Sequence, residues 1–463
     1  MNSIQKALGL TLMSTLMFSC SNNDDLGSAT NPNPQVSAES THVNFSINVP
    51  GLGAANTRAG DSWAGRDEIQ VIDLFLVNLS TGNVDHNAIP NTDFTITGNT
   101  ISPKNAIEVT SGEEIKAYVL VNSPEALIQE LKAKNALELD QAFNAGETSF
   151  LLNGANNYKD VVTMTNQSAP QAISIAPSIT AEEALKGANK IKVSVLRVVS
   201  RGIVTLADES LKSTVSLETK GGKSVDVKIT ELFYSVGQGN SSYKLMQDVN
   251  NATPSFDWKP TSFDDWKEQA VSKYSPMTET LDVLVADKDI NTTLLKEEGA
   301  AFVLPVTHAD GNYVKGNTTY FDVQVKFYPT DIVEEENPDG DAHYGAITNK
   351  FYNSLAAAKA ENSEYVTTYK DYIMHYIVWL NPDEIEGKAV NSPTHRNTAY
   401  RANIKSFKKM GYPVNPLDPK NPIDPTDPIN PVDPTEPLEV VNSFLSVDIN
   451  VVDWGIIDND VNL

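Results

Sequence analysis

The chain has 463 residues and a formal net charge of −25, from 35 Lys and Arg against 60 Asp and Glu. So acidic a protein excludes nucleic acid as a partner and adhesion to anionic lipid heads, because phosphate binding needs clustered Lys and Arg. Cys20 is the single cysteine, which rules out an internal disulfide, and no run of about 18 apolar residues offers a membrane-spanning helix.

Residues 1–20 read as an export signal. Lys6 supplies a thin positive region, Ala7 to Phe18 are mostly apolar but too short to span, and Met17-Phe18-Ser19-Cys20 closes the segment. A small residue before cysteine resembles a bacterial lipobox, in which Cys20 is acylated and becomes the new N-terminus; Met17 is a loose fit. The plainer reading is a secretory peptide with an incidental cysteine. Residues 21–41, rich in Asn, Ser, Pro and Asp, make a flexible tether.

Val43, Phe45, Ile47 and Val49 then alternate with Asn44, Ser46 and Asn48, the period of a half-buried strand, ended by Pro50. Gly51 to Gly60 are small and flexible, good ground for proteolysis. A trypsin-like cut falls between Arg58 and Ala59, with Arg66 the alternative. Strands are predicted over 69–79, 114–122, 190–206, 225–235, 302–306, 320–328, 372–380 and 399–408. A helix opens at Ser123-Pro124-Glu125 with Leu127, Leu131 and Leu137 on one face, and shorter helices cover 180–185 and 354–360. Strands dominate, so the class is mainly β, as two sandwich domains with short helices, over 59–203 and 204–412.

From Pro413 to Pro437 a proline falls at every third position. Polyproline II has three residues per turn, so such a run predicts a stiff arm, roughly 75 Å long at about 3.1 Å per residue. Residues 438–463 follow it. Leu445, Val447, Ile449 and Val451 are apolar in alternation, the phase flips to Val452, Trp454 and Ile456, and it flips again to Ile457, Val461 and Leu463. A one-residue flip turns side chains to the other face, so strand pieces joined by kinks or bulges are expected. One or two strands bury too little surface to fold alone. A stiff arm carrying a lone apolar strand points to delivery into another molecule, by addition at a sheet edge.

Catalytic patterns do not emerge. The six histidines are scattered without metal-ligand spacing, and there is no nucleophile elbow, phosphate loop or dinucleotide fingerprint. The acidic run Glu334–Asp341 has oxygens for calcium but not the spacing of a calcium loop, so a solvated turn is expected. Trp258, Trp266 and Trp379 either line a sugar site or pack in the core. No enzyme activity and no cofactor are expected.

Several segments together resemble the type V fimbrial subunits of Bacteroides-group bacteria, most closely the shaft pilin of the short, or minor, fimbriae. They are Thr57-Arg58-Ala59-Gly60 with Trp63–Asp67; Val195–Arg201; Phe302–Pro305 with Thr307-His308; Val378–Pro382; Asn391–Pro393 with Arg396–Tyr400; Ile404–Gly411; the proline run; and Phe444–Val447 with Trp454. Ser21-Asn22-Asn23-Asp24-Asp25 is similar to the acidic surface-export signal of lipoproteins in that group. The resemblance implies two transthyretin-like β-sandwich domains and lipoprotein travel to the outer membrane. It also implies removal of the N-terminal strand, residues 21–58 with their lipid, by an Arg-specific protease. The C-terminal strand of another copy then fills the groove. Expected partners are further copies in a homopolymer, anchor and tip accessory subunits, that protease, and ligands on host or bacterial surfaces. The expected role is a surface fimbria supporting adhesion and biofilm formation. The alternatives are a surface glycan-binding lipoprotein that never polymerises, and a tip or accessory adhesin.

Overall fold

The protein is described here from a computed structural model covering residues 40–52, 66–110, 114–156, 159–246, 254–285, 299–336, 338–383, 385–438 and 444–453. Ten strands carry the argument: β1 (Ser40–Asn48), β2 (Val71–Asn78), β3 (Glu114–Val121), β4 (Lys190–Arg197), β5 (Ser200–Leu206), β6 (Ser224–Gly237), β7 (Tyr320–Pro329), β8 (Ile373–Trp379), β9 (Thr398–Phe407) and β10 (Leu445–Asp453). The fold is mainly β, as the alternation predicts.

The N-terminal domain is built on one sheet. β2 pairs with β3, and the short strand Met164–Asn166 bridges β3 to β4. β1 pairs with β4 on one side and with Thr100–Pro103 and Ile107–Thr110 on the other. These strands enclose one apolar core, joined by the helices Glu125–Lys132 and Ala136–Asn144. Leu137 belongs to the second helix and is exposed, so the single helical face predicted through it is in fact two helices. The break falls at Ala133–Asn135, where Asn135 caps the second helix by accepting from Leu137 N and Glu138 N at 3.0 Å each.

The predicted strand over 190–206 is two strands in two domains. The chain leaves the first sheet at Val198–Val199, and β5 starts the second domain as the partner of β9. There two sheets face each other across a shared core: β5, β9 and β10 in one, β6, β7 and β8 in the other. The domains are fastened together as well as linked. Tyr243–Lys244 pairs with Glu147–Thr148, and Phe302, Leu304 and Ala399 enter the core of the first domain.

The proline run is not a projecting rod. It lies along the second domain as a belt of turns. In Asp418-Pro419, Asp424-Pro425 and Asp433-Pro434 the aspartate opens a β-turn with proline second, the preferred places for both. The closing bonds are Asn421 N to Asp418 O at 3.0 Å, Asp427 N to Asp424 O at 3.0 Å and Glu436 N to Asp433 O at 3.2 Å. Polyproline II has no internal hydrogen bonds, so turns win at these three places; at the fourth, Asp427-Pro428, the aspartate side chain accepts from Ile429 N and Asn430 N instead. Each turn follows an apolar residue, Leu417, Ile423 and Val432, and all three are buried in the core. The belt is pinned at its far end by Lys315 N to Glu436 O at 2.9 Å and Gly316 N to Pro434 O at 2.7 Å. Leu417→Ala should therefore lower the unfolding free energy by about 2–5 kcal/mol, the usual range for a buried leucine. Urea denaturation checks this, since a free arm would leave stability unchanged.

Candidate functional site

β1 is the first described strand of the chain and an interior strand of its sheet. Its ladder with β4 is parallel, from Asn44 opposite Lys190 to Asn48 opposite Ser194; its other edge meets antiparallel partners. Val43, Phe45, Ile47 and Val49 have no exposed surface. Full burial of each such side chain contributes about 1.5–3 kcal/mol, against a typical net domain stability of about 5–15 kcal/mol. The side chain of Thr41, also buried, donates to Ala176 O at 2.9 Å. Taking β1 out would expose an apolar slot and two unpaired sheet edges at once.

At the end of β1 lies a buried cluster of charges. Arg66 and Asp160, both without exposed side-chain surface, form a two-pronged pair at 3.0–3.1 Å, and Arg201 Nη1 reaches the same carboxylate at 2.9 Å. Arg197 holds Asp67 through Nε at 2.8 Å and through a second, close contact from Nη2. Arg396, from the second domain, donates to Thr165 Oγ1 at 2.9 Å and to Leu196 O at 3.0 Å. Burial pulls its guanidinium down to about 10, still charged at neutral pH. Buried charges persist only with partners of this quality. Arg197 and Arg201 were visible in the sequence as charges interrupting an apolar run; their aspartate partners, at distant positions, were not.

The C-terminal residues divide. β10 pairs with β9 along its whole length, from Leu445 opposite Phe407 to Asp453 opposite Thr398. Leu445 and Val447 are buried in the core of their own domain, Ile449 packs against it, and Val451 is held by the ladder opposite Tyr400. The ladder passes the first phase change without a kink; the irregularity sits in the partner strand at Lys405, between Ile404 and Ser406. Residues 445–453 are thus occupied within the subunit. Cys20, Arg58, Ala59, Trp454, Ile456, Ile457, Val461 and Leu463 lie outside the described residues. Arg66 has no exposed surface, so a protease would meet it only after local unfolding.

Among the described residues no group of His, Cys, Asp and Glu is arranged to hold a metal ion. Asp339 of the acidic run accepts from His343 at 2.8 Å and from the backbone N–H groups of Asp341 and Leu355. Trp266 is wholly buried with its indole N–H on Gly316 O, Trp379 is buried, and Trp258 meets Phe256 and Tyr274 edge-on, so these three tryptophans pack in or against the core.

The features on view are thus an interior strand at the start of the described chain, a buried seat for it, and a proline belt leading from β9 to β10. Residues 367–460 match the family Major fimbrial subunit protein type IV, Fimbrillin, C-terminal. The chain is a homologue of fimbrial subunits, which are structural proteins and not enzymes. It is 28% identical over 445 residues to the minor fimbrium subunit Mfa1 of Porphyromonas gingivalis, covering 88% of this chain and 86% of that protein. Among solved structures it is similar to a fimbrilin from Porphyromonas gingivalis W83, with a TM-score of 0.42 and 14% identity over 90% of this chain and 99% of that one. It is also similar to a putative cell adhesion protein from Parabacteroides distasonis, with a TM-score of 0.42 and 13% identity over 89% and 97%.

Asp160→Ala would leave Arg66 and Arg201 buried without their shared counter-charge, and should cost about 3–5 kcal/mol. Lys186→Ala, which removes an exposed pair with Glu182, should leave stability unchanged within error. Urea unfolding of the two variants measures the contrast.

Proposed function

We propose that the protein is a shaft subunit of a minor-type surface fimbria, exported as a lipoprotein on Cys20, matured by Arg-specific cleavage after Arg58, and polymerised by strand exchange. The observation that carries this reading is β1: an interior strand that, with Val49 just after it, buries four apolar side chains fully and is joined to the body only through the loop containing Arg58. A cut there leaves residues up to 58 held by non-covalent contacts alone, so another apolar strand can replace them. The burial of Arg66 in its pair with Asp160 supports Arg58 as the cleaved arginine.

The donor is assigned to residues 454–463, with Trp454 and Ile456 in one phase and Ile457, Val461 and Leu463 in the other. Residues 445–453 stay at home, because releasing them would open the core of the second domain. Each contact joins a seat on one copy to a strand on the next, so the contacts are heterologous and repeat into an open filament. Partners are further copies and, at the filament ends, other fimbrial subunits. The mature protein lies in the fimbria on the cell surface and its precursor in the outer membrane.

Two outcomes follow. Arg58→Ala should leave full-length, lipidated precursor at the surface and no filaments; N-terminal sequencing of subunits sheared from wild-type cells should begin at Ala59, and a start at Asp67 would assign the cut to Arg66. Deleting residues 454–463 should give a folded, secreted, correctly cleaved monomer whose melting temperature matches wild type but which forms no heat-resistant ladder on gels. A ladder from the truncated subunit would remove the donor role from this segment.

A further inference from the structure

The turn that ends β1 is shaped to present one particular carbonyl. Leu52 N donates to Val49 O at 3.1 Å, with Pro50 second in the turn and Gly51 third at φ +76°. That is a type II turn, which needs a positive φ at its third residue and so favours glycine there. The direction of the Pro50 carbonyl is therefore set by backbone geometry. It accepts from Arg197 Nη1 at 3.1 Å. The same nitrogen donates to Asn397 Oδ1 of the second domain at 3.0 Å, while the other prongs of the guanidinium hold Asp67. Arg197 has no exposed surface. Because β1 runs parallel to β4, its C-terminal end is delivered to Arg197, which closes β4.

We propose that Arg197 is the end-stop of the strand site: it selects and registers whatever strand fills the site by requiring a backbone carbonyl where that of Pro50 lies. This rests on strand exchange as proposed above, and adds what the seat asks of the incoming segment of a second copy. Apolar alternation alone accepts any strand of the right phase, including one shifted by two residues. A buried guanidinium donates directionally, and a donor that loses its acceptor away from water is penalised. A strand seated out of register carries its turn, and the carbonyl that the turn aims, away from Nη1 and is disfavoured. The same guanidinium touches Asp67 and Asn397, so filling of the seat is linked to the contact between the domains.

The test uses the full chain cut in the Arg58 loop by an Arg-specific protease, with its N-terminal fragment labelled. Displacement of that fragment is measured with two synthetic C-terminal amides, residues 40–50, which keep the Pro50 carbonyl, and residues 40–49, which lack it. The longer peptide should displace at about tenfold lower concentration, the effect of a hydrogen bond to a charged group. In Arg197→Gln the two peptides should become equal; a difference that persists there would come from the proline ring and would overturn the inference. Equal displacement from the wild-type protein would also overturn it, leaving strand exchange intact. If neither peptide displaces the fragment, strand exchange itself fails and this inference with it. Should Arg197→Gln not fold, Gly51→Ala in the otherwise natural chain misdirects the Pro50 carbonyl. After the loop cut it should release its fragment several-fold faster, and unchanged release would overturn the role of Arg197.

Discussion

The N-terminal domain is completed by a strand whose parallel partner arrives 146 residues later, as between Asn48 and Ser194. Closing so long a loop costs only slightly more than closing a short one, so burial decides whether the pairing forms. β1 supplies that burial through Val43, Phe45 and Ile47 and adds side-chain bonds from Thr41 to Ala176 O and from Ile179 N to Thr41. Sheet pairing uses backbone groups common to every sequence, and specificity comes from the alternation of side chains. The domain is thus dependent on a strand in this place, and in the proposed exchange a strand from another copy must reproduce the same alternation.

The charges behind the strand set a different kind of limit. Arg66, Arg197, Arg201 and Arg396 converge with Asp67 and Asp160 where the two domains meet, all nearly or wholly shut off from water. Such a cluster contributes little net stability compared with an apolar core, because desolvation offsets most of the attraction. Its effect is geometric, since a guanidinium and a carboxylate fit together in few orientations. The domains are therefore positioned by directional bonds at the end of the strand site and by shared apolar packing further away.

Much of this was legible in the sequence. The alternation in Val43–Val49 and in Leu445–Val451 marked both strands correctly, because each has one face in a core. The long central strands β2, β3, β6, β7, β8 and β9 carried enough β-branched and aromatic residues to be seen. Val84–Pro90 was missed because it packs on β2 with polar residues and buries little beyond Ile89. The helix Phe263–Lys273 was missed because its inward face is mainly Trp266 and Ala270. The break between β4 and β5 was missed because the apolar run 190–206 continues through Val198 and Val199, which are buried between the two strands. The proline run misled through its period. Nine prolines at every third place suggest a rod, whereas the aspartate before a proline, at three places following a buried apolar residue, writes a turn instead.

β10 and β1 are linked through a series of paired strands and one chain connection, and in the proposed filament this has a mechanical consequence. Tension on a terminal donor passes first into β10, then across its ladder to β9, across the next ladder to β5, through the peptide bonds at Val198–Val199 into β4, and from β4 to whatever strand lies beside it. The pull enters β10 at Asp453, opposite Thr398, and leaves β5 at its first residues, opposite Ala399, so both points lie at one end of the sheet and the ladders are loaded from that end, one bond after another. The proline belt lies outside this line of force. It spans the slack between β9 and β10 and stays unloaded while their ladder holds, so the second domain has a reserve of 37 residues of chain, 408–444, roughly 3.3 Å each when extended, to pay out before the filament parts.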